Sequence, residues 1–265
     1  MKVVTDNKHY NDIADAIREK TGTENTYTPA EMASGVNEVY EAGKKAEYDE
    51  FWDVILDNGK RSEFSSAFAY WKCEYLRPTQ KVKAGGLISQ MFRNNPLLRK
   101  VEREYFDLSN ATTSETSSSG GNYFMFSDCP ELEEIEDIGL KSAYYHTTFA
   151  DCPKLKRIAV VRSTEDTMFN STFRRNTSLK EIEIEGVIGK NISFSFSPLT
   201  VESMKSIITH LKDYSGTTSE YTYTVTFKTS AFEELEAEGT TAEYNGTPCT
   251  WAELIGFLKW NLVKA

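Results

Sequence analysis

Apolar and polar positions along this chain fall into a unit that recurs. Phe126, Cys129, Leu132 and Ile135 are spaced three residues apart, with polar or charged residues mostly between them. The same spacing returns as Phe149, Cys152, Leu155, Ile158, then as Phe173, Asn176, Leu179, Ile182, and earlier as Phe92, Asn95, Leu98, Val101. The shared pattern is F-x-x-(C/N)-x-x-L-x-x-(I/V), with intervals of 23 residues from Phe126 to Phe149 and 24 from Phe149 to Phe173. A fixed period of this size marks a stack of units that cannot bury their apolar faces alone. The Leu-x-x-Ile end predicts short parallel strands at Leu98–Val101, Leu132–Ile135, Leu155–Ile158 and Leu179–Ile184, and Asp-Cys-Pro predicts a turn. In that register Lys100, Glu134, Arg157 and Glu181 lie side by side on the outer face with alternating sign. Adjacent strands are about 4.8 Å apart, so such a row is self-attracting.

Flanking patterns predict other elements. Residues 11–22 read as a short helix with Asn11 as cap, Ile13 and Ile17 on one face and Gly22 at its end. Thr28-Pro29-Ala30-Glu31 is a second helix start, followed by Met32, Val36 and Val39. A helix over 41–56 carries Tyr48, Phe51, Trp52 and Ile55 on one face, which suits a cover for the first unit. Residues 64–90 form an irregular first unit containing Phe68, Trp71, Cys73 and Leu76. The polar, Ser- and Gly-rich run 111–121 lengthens one interval to 34 residues and reads as an inserted surface loop. Beyond Ile184 the period dissolves. A helix is expected over 198–211 with Val201, Met204, Ile208 and Leu211 inward, a strand over 221–227, helices over 230–238 and 248–258, and a closing strand at 260–263.

Composition narrows the role. With 265 residues, 39% of them hydrophobic, the chain can bury a sizeable core. A net charge of -10 argues against sequence-independent nucleic-acid binding, which needs a basic surface. No apolar run approaches the ~20 residues that span a bilayer. Residues 1–10 hold no apolar signal core, which favours a chain that is not exported. The four cysteines include no C-x-x-C pair, and Cys129 and Cys152 share one repeat position, which favours buried free thiols over a disulfide or a zinc site. Asn110, Asn170, Asn176, Asn191 and Asn245 begin N-x-S/T sequons and, without a secretory signal, read as polar turn residues. His9, His146 and His210 are scattered, with no Ser or Cys partner at motif spacing. Abundant Asp and Glu leave a carboxylate pair for glycoside hydrolysis open. Tyr144, Tyr145 and His146 suggest a contact patch, although Tyr145, four residues before Phe149, occupies a position that favours core. No catalytic, cofactor-binding or metal-ligating residue is assigned.

The F-x-x-C-x-x-L-x-x-I unit resembles the BspA-type leucine-rich repeat, over roughly Phe64 to Ile192. Ile13 to Gly22 followed by Tyr27-Thr-Pro-Ala-Glu-Met32 resembles a short module at the start of phage and prophage structural proteins, notably tail and baseplate components. The run from Glu47 through Phe68 resembles phage-encoded leucine-rich-repeat proteins. These resemblances imply an α/β repeat fold: a leucine-rich-repeat solenoid over 60–192, with an N-terminal helical segment over 1–59 and an α/β C-terminal cap over 193–265. They imply a non-enzymatic virion structural protein, a tail-fibre, baseplate or head-decorating component, that needs no cofactor. Its expected partners are other virion proteins, met through residues 1–36, and a host-surface protein or glycan. Nucleic-acid binding and membrane insertion are not expected, and oligomerisation in the assembly is. The alternative is a host-encoded bacterial cell-surface leucine-rich-repeat adhesin.

Overall fold

A computed structural model describes residues 14–19, 64–111, 123–218 and 223–265. The expected capped helix at Thr28–Glu31, the aromatic face of Tyr48, Phe51 and Trp52, and the inserted loop over 112–121 lie outside the described residues.

A short helix, α1, covers residues 14–19. Strands β1 (Val82–Lys83), β2 (Lys100–Val101), β3 (Phe106–Asp107), β4 (Glu134–Ile135), β5 (Arg157–Ser163), β6 (Glu181–Gly186) and β7 (Ile192–Phe194) follow. Then come α2 (Val201–Thr209), β8 (Tyr223–Phe227), α3 (Thr229–Glu236), β9 (Ala242–Tyr244), β10 (Thr247–Cys249), α4 (Trp251–Phe257) and β11 (Trp260–Lys264).

Strands β2, β4, β5 and β6 pair in parallel in the spacing the sequence predicts, with Lys100 beside Glu134, Glu134 beside Arg157 and Arg157 beside Glu181. The fold class nevertheless needs correcting. An α/β leucine-rich-repeat solenoid was the expectation, with one continuous sheet between a helical segment and a cap. The described residues instead form four separate small sheets, three parallel and one antiparallel, with only four short helices. The physical reason is that sheet pairing stops at β6. Its outward amides are met by a helix instead of a strand: Ile182 N–H donates to Ser203 Oγ (3.0 Å) and Ile184 N–H to Ser206 Oγ (3.3 Å), both on α2. A strand edge satisfied by side chains recruits no further strand. The remaining strands form β11–β8–β7, the β9–β10 hairpin and the β1–β3 pair. Gly186 ends β6 at φ +101, where a Cβ would lie 2.0 Å from the Ser163 carbonyl oxygen.

Side-chain packing is more continuous than the sheets. The rings of Phe68, Phe92, Phe126, Phe149, Phe173, Phe194 and Phe227 stack one on the next at 4.5–6.2 Å and within 27° of parallel. Phe232 of α3 closes the row at 5.4 Å. All eight are fully buried. The column three residues after each phenylalanine ties neighbouring units together. Asn95 Nδ2 donates to the Phe68 carbonyl (2.7 Å), Cys129 Sγ to that of Phe92 (3.1 Å) and Cys152 Sγ to that of Phe126 (3.0 Å). The four cysteines are free. Burial pushes the Cys152 thiol well above its ordinary pKa, and the neighbouring Cys129 adds to the shift. Phe194 and Ser197 reproduce the F-x-x-polar start of a unit past the point where the sequence period fades, and Ser197 Oγ donates to the Asn176 carbonyl at 3.3 Å.

In α1, Ala14, Ala16 and Ile17 are buried and belong to this same core. A share of residues 1–36 therefore packs on its own chain and is not spare for a partner. At the other end, α2 is capped by Thr200 and buries Met204, Ile207 and Ile208. Helix α4 carries a capping box between Thr250 and Glu253.

Candidate binding face

Five of the units turn at their phenylalanine, Phe68, Phe92, Phe126, Phe149 and Phe173, by an unusual route. The residues two before and two after it both have positive φ: Ser66 and Tyr70, Gln90 and Asn94, Phe124 and Asp128, Thr147 and Asp151, Ser171 and Arg175. None is glycine. Left-handed conformation costs an L-residue roughly 1–2 kcal/mol. Lateral hydrogen bonds offset that cost. Phe92, Phe126 and Phe149 amides donate to the Met125, Thr148 and Thr172 carbonyls of the next unit at 2.8–3.1 Å. The Phe124 and Asp128 amides donate likewise to His146 and Ala150. The turn is thereby fixed, and so are the side chains that project from it.

Three residues before each phenylalanine stands a column of side chains: Ser65, Ser89, Tyr123, His146 and Asn170. The first four are half-buried and Asn170 is exposed. Ser89 Oγ lies 3.4 Å from Ser65 Oγ. The rings of Tyr123 and His146 stack at 4.7 Å and 13°. Tyr144 lies parallel to His146 at 5.9 Å, and its hydroxyl accepts from Asn170 Nδ2 at 3.1 Å. Phe124 stands edge-on to Tyr123 at 4.1 Å, and the Arg93 guanidinium lies over it at 4.4 Å. Four half-buried rings thus meet across two adjacent units, outside the phenylalanine row. Burial, and then the charge of Arg174, lower the pKa of His146, so its ring is neutral near pH 7.

Of the expected contact patch, Tyr144 and His146 belong to this cluster, while Tyr145 is fully buried and stacks on Phe169 at 5.8 Å. Tyr123 and Phe124 were not singled out in the sequence, because no ring stands at their columns before Phe92 or Phe173. His210 lies apart, with Nδ1 2.6 Å from the Ser206 carbonyl oxygen at the end of α2.

The face carrying β2, β4, β5 and β6 is a lattice of ion pairs. Lys100 meets Glu134 (3.0 Å) and Glu136 (2.6 Å), and Arg157 meets Glu134 (2.7 Å) and Glu181 (3.5 Å). Beside it, Arg162 grips Asp137 with two bonds (2.7 and 2.9 Å), which holds that carboxyl at a pKa of about 2. Between β6 and α2 an open cleft of about 380 Å³ is lined by Glu181, Glu183, Glu202, Arg157 and Ser203. Among the described residues no three His, Cys, Asp or Glu side chains gather as a metal site. No helix among them is long and apolar enough to cross a membrane.

No protein-family model, curated protein or solved structure matches this chain.

Proposed function

We propose that this chain is a non-enzymatic binding component of a phage or prophage virion, in a tail-fibre, baseplate or head-decorating position. The part of residues 1–36 outside α1 joins it to other virion proteins, and its outward columns engage a host-surface protein or glycan. One observation carries the binding half of this reading. The turns at Phe68, Phe92, Phe126 and Phe149 are locked by paired left-handed residues and lateral hydrogen bonds, so these units hold their outward side chains in fixed columns. A surface fixed in advance binds without the entropy cost of ordering loops. The virion half rests on the resemblance of Ile13–Met32 to the opening module of phage structural proteins.

The test is made in the bacterium that carries the gene. Particles are induced, purified on a density gradient and digested for mass spectrometry. The full chain is expected in the particle fraction, and a chain lacking residues 1–36 is expected to be absent from it. Recovery of the full chain from the cell envelope, with none in particles, would replace this reading with that of a host adhesin.

A further inference from the structure

We propose that the ring cluster of Tyr123, Phe124, Tyr144 and His146 is a binding platform for pyranose sugars. The inference rests on the host-surface reading above and names the ligand class for one part of that surface.

Position gives the first argument. In the other units the same two columns hold Ser65 and Ser66, Ser89 and Gln90, and Asn170 and Ser171. Small polar residues therefore satisfy these turns, and the fold does not require rings there. Three of the four rings replace them in two adjacent units, and Tyr144 joins from beside His146. All four stay half-buried, although the fully buried phenylalanine row runs through the same units.

Chemistry gives the second. Sugars are recognised by aromatic surface against their C–H faces together with short polar groups that meet their hydroxyls, a few convergent polar atoms on an apolar floor. Here the rings carry the Tyr144 hydroxyl with the Asn170 amide on it, and the same column continues into the Ser89 and Ser65 hydroxyls. Nearby, Arg93 lies 3.7 Å from Asp128, and Asp151 is shared by Arg174 and Arg175. His146 is uncharged near pH 7.

The experiment uses the purified full chain and four probes: N-acetylglucosamine, glucose, galactose and rhamnose, each titrated against ring-proton resonances. At least one sugar is expected to shift Tyr123 and His146 together in a saturable way. Tyr123→Ser restores the residue type of the neighbouring units and so preserves the turn. It is expected to weaken that binding about tenfold, the size of one aromatic contact. Tyr144→Phe, which removes only a hydroxyl, is expected to weaken it less, and Glu181→Ala on the charged face not at all. If no sugar shifts these rings, or if Tyr123→Ser binds as well as the parent chain, the platform is refuted. Particle incorporation does not depend on the cluster. A chain that enters particles and binds no sugar sinks this inference and leaves the virion reading standing.

Discussion

Phenylalanine does two jobs here, and they separate experimentally. Phe149 is buried between Phe126 and Phe173 at 5.6 and 5.7 Å, so Phe149→Ala opens a cavity that its neighbours are poorly placed to fill. The expected loss in chemical denaturation is about 3–5 kcal/mol. Glu134→Ala removes a half-exposed partner of Lys100 and Arg157 and is expected to cost under about 1 kcal/mol. Equal losses would mean that the inward and outward assignments are wrong. The left-handed residues beside each phenylalanine give a prediction of opposite sign. Ser171 is exposed and sits at φ 53. Ser171→Gly is expected to stabilise by up to about 1 kcal/mol, because glycine adopts this conformation freely, and Ser171→Val to destabilise by about 1–2 kcal/mol. A glycine variant less stable than the parent would show that the turn is not strained. These left-handed pairs were invisible in the sequence. They fall on residues as different as Phe124, Thr147 and Arg175, which carry no shared turn signature.

The strand pairing in the repeat was legible from the recurring Ile and Val, but each strand begins two residues after the leucine expected to start it, at Lys100, Glu134, Arg157 and Glu181. Where the sheet ends was not legible. It depends on Ser203 and Ser206 reaching the edge of β6 from a helix about twenty residues away in sequence, a contact that no local pattern encodes. The expected solenoid failed at that point. The β9–β10 hairpin, in contrast, carries a readable turn signal, and β10 takes Pro248 and Cys249 from the start of the helix expected over 248–258. Asn245-Gly246 takes positive φ at both residues, at 51° and 79°, the turn such dipeptides favour. At the edge of the ion-pair lattice, the Arg162–Asp137 pair links β5 to the segment after β4 and makes stability depend on pH. Asp137 has a folded pKa of about 2, below its ordinary value of 3.8. Its contribution is therefore complete above the unfolded value and is lost as pH falls from about 4 toward 2. Denaturation of the parent and of Asp137→Asn across that range should show the difference between them shrinking as the solution is acidified. A difference independent of pH would mean that the pair does not stabilise the fold.

Across the molecule, the phenylalanine row joins the repeat to the β7–β8–β11 sheet and α3, so the C-terminal third is packed as an extension of the same core. The N-terminal segment also contributes, since Ile17 is completely buried. A chain lacking residues 1–36 is therefore expected to melt about 4–10 °C below the parent, the consequence of losing one large buried aliphatic residue. An unchanged melting temperature would mean that Ile17 does not support the core. Half of the ring cluster was legible, because Tyr144 and His146 stand together in sequence. Tyr123 was readable too, since it stands three residues before Phe126 as His146 stands before Phe149, but it has no ring three residues before Phe92 or Phe173 to mark the column.

The account depends on adjacent units being locked at the phenylalanine turn, so that the outward columns form one fixed surface. Amide hydrogen exchange read residue by residue reports that locking. The amides of Phe92, Phe126 and Phe149, each bonded to the next unit, are expected to exchange among the slowest in the chain and with closely similar protection. Exchange of these three amides as fast as that of the exposed turn at Gly216 would contradict it.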